Sequence, residues 1–317
     1  MSPTSTREPA TAGESAASEW TRRSERGSPA LMRFMVQVSL ALGRGPARVL
    51  LHPIAAYFLA FSARARRCSR DFLARALGRR PTLADQYRHF LAFASTVHDR
   101  VFFISGRFEP FDIRVYGAEA FEGLPGNAGA FLMGAHLGSF EAARACGRGR
   151  AGRQVVMAMV EENARKLNAV LSAIDPRAAE GILPLGRMDS MLKLRSLLEA
   201  GALVGVLADR TPGREPAITL PFLGGSAAFP TGPMRMAAIV RARVIFMTGL
   251  YRGSSRYDIH FETLADFSVP EAEARGARDR LVREAIERYA ARLEHYAREH
   301  PFNWFNFHDF WADRQAS

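Results

Sequence analysis

Phe131-Leu132-Met133-Gly134-Ala135-His136-Leu137-Gly138-Ser139-Phe140-Glu141 is the stretch whose reading decides the fold. A short apolar run ends in a small-residue step, a histidine comes next, and a carboxylate stands five positions after it. The run reads as a buried strand, and the residues after it read as a tight turn into a helix. A histidine at that junction lies at the carboxyl end of a strand, where open α/β sheets place their ligands. An imidazole held by a carboxylate is the general-base half of many acyl-transfer and hydrolase sites.

Spacing alone is a weak signal, because His308 and Asp313 repeat it near the C-terminus. Context separates the two. His136 follows an apolar run and precedes Gly138, which lets backbone or substrate approach closely. His308 stands in an aromatic tail with no strand-turn-helix setting. Residues five apart in a continuous helix point about 140° apart. Pairing of His136 with Glu141 therefore requires His136 to sit before the first helical turn, its ring folded back, with Gly134, Ala135, Gly138 and Ser139 allowing the turn.

Outward from this stretch, strands and helices alternate. Residues 131–135, 154–160, 182–185, 202–208, 244–250 and 257–262 read as strands, and 80–104, 189–200, 231–240 and 276–299 as helices. The alternation predicts an α/β fold, a mainly parallel sheet flanked by helices. Residues 1–29 are rich in Ser, Thr, Ala, Pro, Gly and Glu and read as a disordered tail without a secretory signal. Residues 30–317 read as one domain. Within it, residues 31–61 are apolar, and from Val49 to Phe61 only His52 and Pro53 interrupt. A membrane span needs about 20 apolar residues, and Arg44 and Arg48 stop the run from extending. The expectation is a helical segment lying on or dipping into a membrane, with the basic stretch Arg64 to Arg70 against anionic headgroups. An ordinary buried helical hairpin is the alternative.

The chain has 317 residues, 48% hydrophobic and 24% charged, an ordinary globular composition. Its two cysteines, Cys68 and Cys146, give no disulfide framework or zinc motif. A net charge of +11 favours acidic partners, whether anionic lipid, acidic carrier protein, phosphorylated substrate or nucleic acid. A coding bias toward Arg explains the charge equally well.

Other residues stand where chemistry is expected. Asp209 and Arg210 end the apolar run 202–208 and face the same crevice as His136 if the two strands are neighbours. Their alternative is a structural turn with Thr211-Pro212-Gly213. Arg165 with Asn168, and Arg187, follow further strands and suit a phosphate or carboxylate clamp; each is equally an ordinary solvated side chain. Residues 221–233 form a Gly/Pro-rich connection in which Thr231 sits like an N-cap and Pro233 near the first turn. No Gly-x-Ser-x-Gly elbow, phosphate-binding loop or metal-ligand cluster is present in the sequence. The tail from Phe302 to Trp311 is crowded with aromatics and must dock on the domain or lie at a membrane interface; nucleobase stacking is a weaker alternative.

Four features in order resemble the lysophospholipid acyltransferase superfamily, specifically its lipid A late-acyltransferase type. They are Gly134-Ala135-His136-Leu137-Gly138-Ser139-Phe140-Glu141, then Leu207-Ala208-Asp209-Arg210, then Leu220-Pro221-Phe222-Leu223-Gly224-Gly225 with Pro230-Thr231-Gly232-Pro233, and the apolar N-terminal segment. The resemblance implies a membrane-associated enzyme moving a fatty acyl group from acyl carrier protein or coenzyme A to a lipid-like acceptor, with no bound cofactor. It implies His136 and Glu141 as the catalytic pair. Gly138, Ser139, Arg165, Arg187, Asp209, Arg210 and Thr231 are expected to bind substrate, the backbone N–H groups of Gly138 and Ser139 holding the oxyanion and Asp209 the acceptor. Arg210 replaces a Gln common in the family, and the aromatic tail looks more like the acyltransferases of aryl-polyene or xanthomonadin-type pigment clusters. Expected partners are acyl carrier protein, anionic lipids and a lipid-like acceptor, not nucleic acid, at the cytoplasmic face of the cell inner membrane. The rival class is a non-catalytic basic protein that binds membrane or nucleic acid. Convergence of His136, Glu141 and Asp209 in one cleft discriminates between them.

Overall fold

The structure, a computed structural model, describes residues 37, 39–41, 43–124, 128–144, 153–161, 164, 181–186, 188–210, 215–269 and 275–311. The expected disordered tail (1–29), Arg165, Asn168, Arg187, residues 211–213 and Asp313 lie outside them.

Strand β2 (Ala130–Gly134) is buried at every residue. Successive side chains leave a strand on opposite faces, and here both faces are covered. Phe131 and Met133 enter one core with Val204 and Val206 of β5 (Leu203–Leu207) and Phe246 of β8 (Arg243–Tyr251). Ala130 and Leu132 enter the other with Val155 and Met157 of β3 (Val155–Val160) and Ile245 of β8. Two buried faces explain why these strands read as unbroken apolar runs rather than as alternation.

With β1 (Asp112–Tyr116), β4 (Ile182–Leu185) and β9 (Arg256–Asp266), the sheet has seven strands in the order β1-β9-β8-β2-β5-β3-β4. The pairs β2–β5, β2–β8, β3–β5, β3–β4 and β1–β9 are parallel, whereas β8–β9 is antiparallel. The sheet is thus mixed, with β1 and β9 running against the other five. Only Arg252 to Ser255 separate β8 from β9, too few residues for a parallel crossover. Strand β1 escapes sequence reading because its edge position leaves Asp112, Arg114 and Tyr116 exposed.

The Gly/Pro-rich connection is also a correction. It folds as an antiparallel hairpin, β6 (Ala217–Phe222) and β7 (Gly225–Pro230). Leu223 and Gly224 turn it with φ of 49° and 73°, the sign a two-residue hairpin turn of the mirror type requires. Ladder pairing overrides Pro221 and Pro230, which sequence reading treats as breakers.

Helices cover both faces. α6 (Arg275–Glu299) sends Ile286, Tyr289 and Leu293 into the first core. α3 (Leu83–Ile104) begins with a capping box, in which the Asp85 N–H donates to Thr82 Oγ1 (3.1 Å) and the Thr82 N–H to Asp85 Oδ2 (2.8 Å). Its Phe103 joins the second core. α4 (Met188–Glu199) and α5 (Gly232–Ile239) complete the helical layers.

The N-terminal helices α1 (Arg44–Phe61) and α2 (Ala63–Leu77) meet at a 95° bend. Among the described residues no single helix is long and apolar enough to cross a membrane. Arg44 and Arg48 lie in the first turns of α1, before its apolar run, and turn inward. The Arg44 guanidinium donates to both oxygens of buried Asp99 (2.7 and 2.8 Å), which also accepts from Tyr257 OH (2.9 Å). Arg48 donates to Tyr251 OH (2.5 Å). With its charges engaged by the domain, α1 leaves Val49, Leu50, Tyr57, Phe58 and Phe61 exposed.

Candidate active site

Register brings the site together. In the parallel β2–β5 pair Gly134 stands opposite Leu207, and the Ala208 N–H still donates to Gly134 O at 3.0 Å. Two residues further along each chain are His136 and Asp209. Both therefore leave the carboxyl edge of the sheet side by side, as expected for neighbouring strands.

Asp209 is fully buried. Its Oδ1 accepts from His136 Nδ1 at 2.8 Å. Its Oδ2 accepts from the His136 backbone N–H and from the Trp304 indole N–H, each at 3.0 Å. Burial opposes its charge, but His136, Arg210 and the indole outweigh burial and hold the carboxyl well below the usual carboxylate range. An ionised partner places the imidazole proton on Nδ1 and leaves a lone pair on Nε2. The His136 side chain is a third exposed, so that lone pair belongs to the open side of the ring.

Glu141 is the correction. The carboxylate on His136 is Asp209. Glu141, in the first turn of the helix that opens at Phe140, points its Oε1 at Arg100 Nε, 2.8 Å away. Chain geometry gives the reason. His136 is held by strand register next to Asp209, and Leu137 and Gly138 are pinned before the helix starts, so the ring does not fold forward onto the helix.

The turn itself is tightly built. Gly138 has φ of 73°, and a Cβ there would lie 2.1 Å from Gly249 O. Its N–H donates to Asn303 O (2.8 Å), and the Ser139 N–H donates to Gly249 O (2.7 Å). These two donors, expected to hold an oxyanion, are already used by the fold. Ser139 Oγ accepts from the Ala142 N–H at 3.2 Å, as an N-cap does. Thr231 is buried, and both its N–H and its Oγ1 bond Pro216 O, closing the base of the hairpin. Arg210 is largely buried. One of its terminal nitrogens donates to Phe305 O at 3.3 Å, and its Nε has no hydrogen-bond partner.

The aromatic tail docks on this turn. Leu137 and Trp304 form an antiparallel bridge, and the Phe305 N–H donates to His136 O at 2.8 Å. Trp304, fully buried, packs edge-on against Phe72, Phe222 and Phe310 while its N–H reaches Asp209. Sequence reasoning missed it as a site residue. The tail's apolar crowding signalled docking, but nothing in the spacing singled out one indole. His308 is also nearer the site than its tail position suggests, within electrostatic reach of His136 and Arg210.

Among the described residues no group of three or more His, Cys, Asp or Glu side chains is gathered as a metal site. A strand-edge imidazole on a buried carboxylate is the equipment of a general-base transferase or hydrolase, and comparison with known proteins decides the class. Residues 30–313 match the family described as bacterial lipid A biosynthesis acyltransferase. The chain belongs to that family and is an acyltransferase of the lipid-acyltransferase superfamily. It also resembles the crystal structure of the 1-acyl-sn-glycerophosphate (LPA) acyltransferase PlsC from Thermotoga maritima, at 15% identity, over 80% of this chain and 99% of that chain, with a TM-score of 0.36. No curated protein matches the chain.

Proposed function

We propose that the protein transfers a fatty or polyene acyl group from an acyl carrier protein or coenzyme A thioester to a hydroxyl or amine of a lipid-like acceptor, at the cytoplasmic face of the inner membrane. The observation that carries this reading is the His136–Asp209 pair, an imidazole whose Nδ1 is fixed on a buried, ionised carboxylate. His136 Nε2 takes the proton from the acceptor as its oxygen or nitrogen attacks the thioester carbonyl. Asp209 stays ionised and stabilises the imidazolium. The new C–O or C–N bond forms, the C–S bond breaks, and the leaving thiolate recovers the proton from His136. Arg210, with a buried N–H unpartnered in the fold, supplies the positive charge for the oxygen that becomes anionic in the tetrahedral intermediate. This replaces the Gly138 and Ser139 donors expected from sequence.

Asp209 has no exposed surface for an acceptor, so its part is to orient His136, not to bind substrate. Membrane contact is supported by the outward apolar face of α1. Asp209→Asn is expected to lower kcat by about 10³–10⁴-fold with KM little changed, because the amide stabilises the wrong tautomer. His136→Ala should fall as far. Circular dichroism checks that both remain folded, and near-full transfer by either folded variant would sink the mechanism.

A further inference from the structure

Seven arginines lie between residues 64 and 80. Three have partners. Arg66 donates to Leu59 O and Ala60 O at the end of α1, Arg75 pairs with Asp71 and lies over the Trp311 ring, and Arg79 holds Asp85. The other four, Arg64, Arg67, Arg70 and Arg80, are exposed and have no carboxylate partner among the described residues. All four line one open basin of about 960 Å³, which Asp71, paired with Arg75, and Asp309 also line. Arg64, Arg67 and Arg70 come from one side of α2 at three-residue spacing, and Arg80 from the turn after it. The four guanidinium groups outnumber the two carboxylates, and a bound anion relieves the excess positive charge.

His308 relates the basin to the catalytic pair. His308 lines it and feels the charges of both Arg64 and His136. Burial and the neighbouring Arg210 push the His308 pKa down to about 4, so it is neutral at pH 7. Its Nδ1 is buried with no hydrogen-bond partner. A neutral imidazole with a vacant polar atom therefore lines the arginine-rich basin within electrostatic reach of the general base.

We propose that this basin binds a phosphate ester carried by one of the two substrates, with the rest of that substrate passing His308 to reach His136. The inference rests on the acyl-transfer reading of the site. Guanidinium forks match phosphate oxygens bidentately, and several together suit a phosphate better than a lone carboxylate. The phosphate has two possible sources, the phosphopantetheine arm of a thioester donor or a phosphorylated acceptor headgroup. Recognition is the same in either case.

Cys68 lines the same basin and reports its occupancy. Burial raises its pKa, so its labelling is slow enough to time. The test uses the full chain with Cys146→Ser, which leaves Cys68 as its one thiol. Alkylation by N-ethylmaleimide is followed by mass spectrometry at fixed ionic strength, with acetyl-coenzyme A, acetyl-pantetheine or glycerol 3-phosphate present. A phosphate-bearing ligand at about ten times its Kd should slow labelling about tenfold, whereas phosphate-free acetyl-pantetheine should not. Protection by acetyl-coenzyme A assigns the phosphate to the donor, and protection by glycerol 3-phosphate assigns it to the acceptor. Arg67→Glu with Arg70→Glu, both exposed changes, should abolish protection. Equal labelling with every ligand overturns the proposal, as does protection that survives the double change or is matched by acetyl-pantetheine. Labelling needs no turnover, so His136→Ala should show the same protection. Failure of the basin is thereby distinguished from failure of the catalytic reading.

Discussion

At the scale of single residues, the proposed mechanism depends on what the second oxygen of Asp209 does. One oxygen orients His136; the other is held by the His136 backbone and by the Trp304 indole. A hydrogen bond to a charged group contributes about 1.5–3 kcal/mol. Trp304→Phe keeps an aromatic ring in the cluster of Phe72, Phe222 and Phe310 but removes the N–H. It is expected to lower kcat about tenfold or more, as a loss of about 1.4 kcal/mol or more in transition-state stabilisation implies. The pH–rate profile should shift as Asp209 loses a donor, with KM nearly constant. An unchanged kcat and profile would show that the indole serves packing alone. The position of His136 at a strand end was legible from the apolar run before it and Gly138 after it. Asp209 was legible as a strand-end residue, but not as the carboxylate that replaces Glu141. That exchange follows from the alignment of Gly134 with Leu207, a property of strand pairing between distant segments.

At the scale of elements, α1 carries the surface on which the proposed membrane contact rests. A helix of a soluble domain turns its apolar side inward. α1 does so with Ala47, Leu51 and Ala55, and turns Arg44 and Arg48 onto Asp99, Tyr251 and the Ser254 carbonyl, yet it leaves a second apolar side outward, with Val49 and Phe61 68% and 67% exposed. Exposed apolar surface of this kind marks an interaction face. Val49→Ser, Tyr57→Ser and Phe61→Ser combined should reduce co-sedimentation with vesicles containing anionic phospholipid at least about tenfold. That is the scale expected when more than about 1.4 kcal/mol of apolar burial is lost. Raised salt alone should weaken binding less than the triple change does. If the triple variant sediments like the parent, attachment is not through α1.

At the scale of the molecule, buried histidines tie stability to pH. His89 is fully buried between Ser69 Oγ (2.8 Å) and Trp304 O (2.9 Å), linking α2, α3 and the tail. Burial lowers its pKa to about 4, against a partial opposing effect of the Trp304 carbonyl. In the unfolded chain the same group titrates near 6.5. Between these values the unfolded state binds more protons, so stability rises with pH. The contribution is complete above about pH 6.5 and is lost as pH falls toward 4, up to about 3 kcal/mol. His308, also held to about 4, acts in the same direction. Thermal melts at pH 7.5 and pH 5 should differ by at least about 5 °C. His89→Gln should flatten that slope, and an equally steep slope in His89→Gln would exclude His89 as its source.

The sequence by itself determined the α/β class, the six strands with strong apolar runs and the position of His136 at a strand end. Those features are written in local periodicity and in small-residue turns, which need no distant partner to be read. Only the tertiary structure decided that the sheet is mixed, that a Pro- and Gly-rich connection pairs as a hairpin, and that Asp209 rather than Glu141 meets His136. It also decided that the Gly138 and Ser139 donors go to Asn303 and Gly249, and that Trp304 completes the site. The physical reason is common to these cases. Register, hydrogen-bond occupancy and burial are properties of pairs of segments far apart in the chain. Sequence spacing records where a polar group stands along the chain, and only the fold supplies the partner that uses its hydrogen bond or its charge.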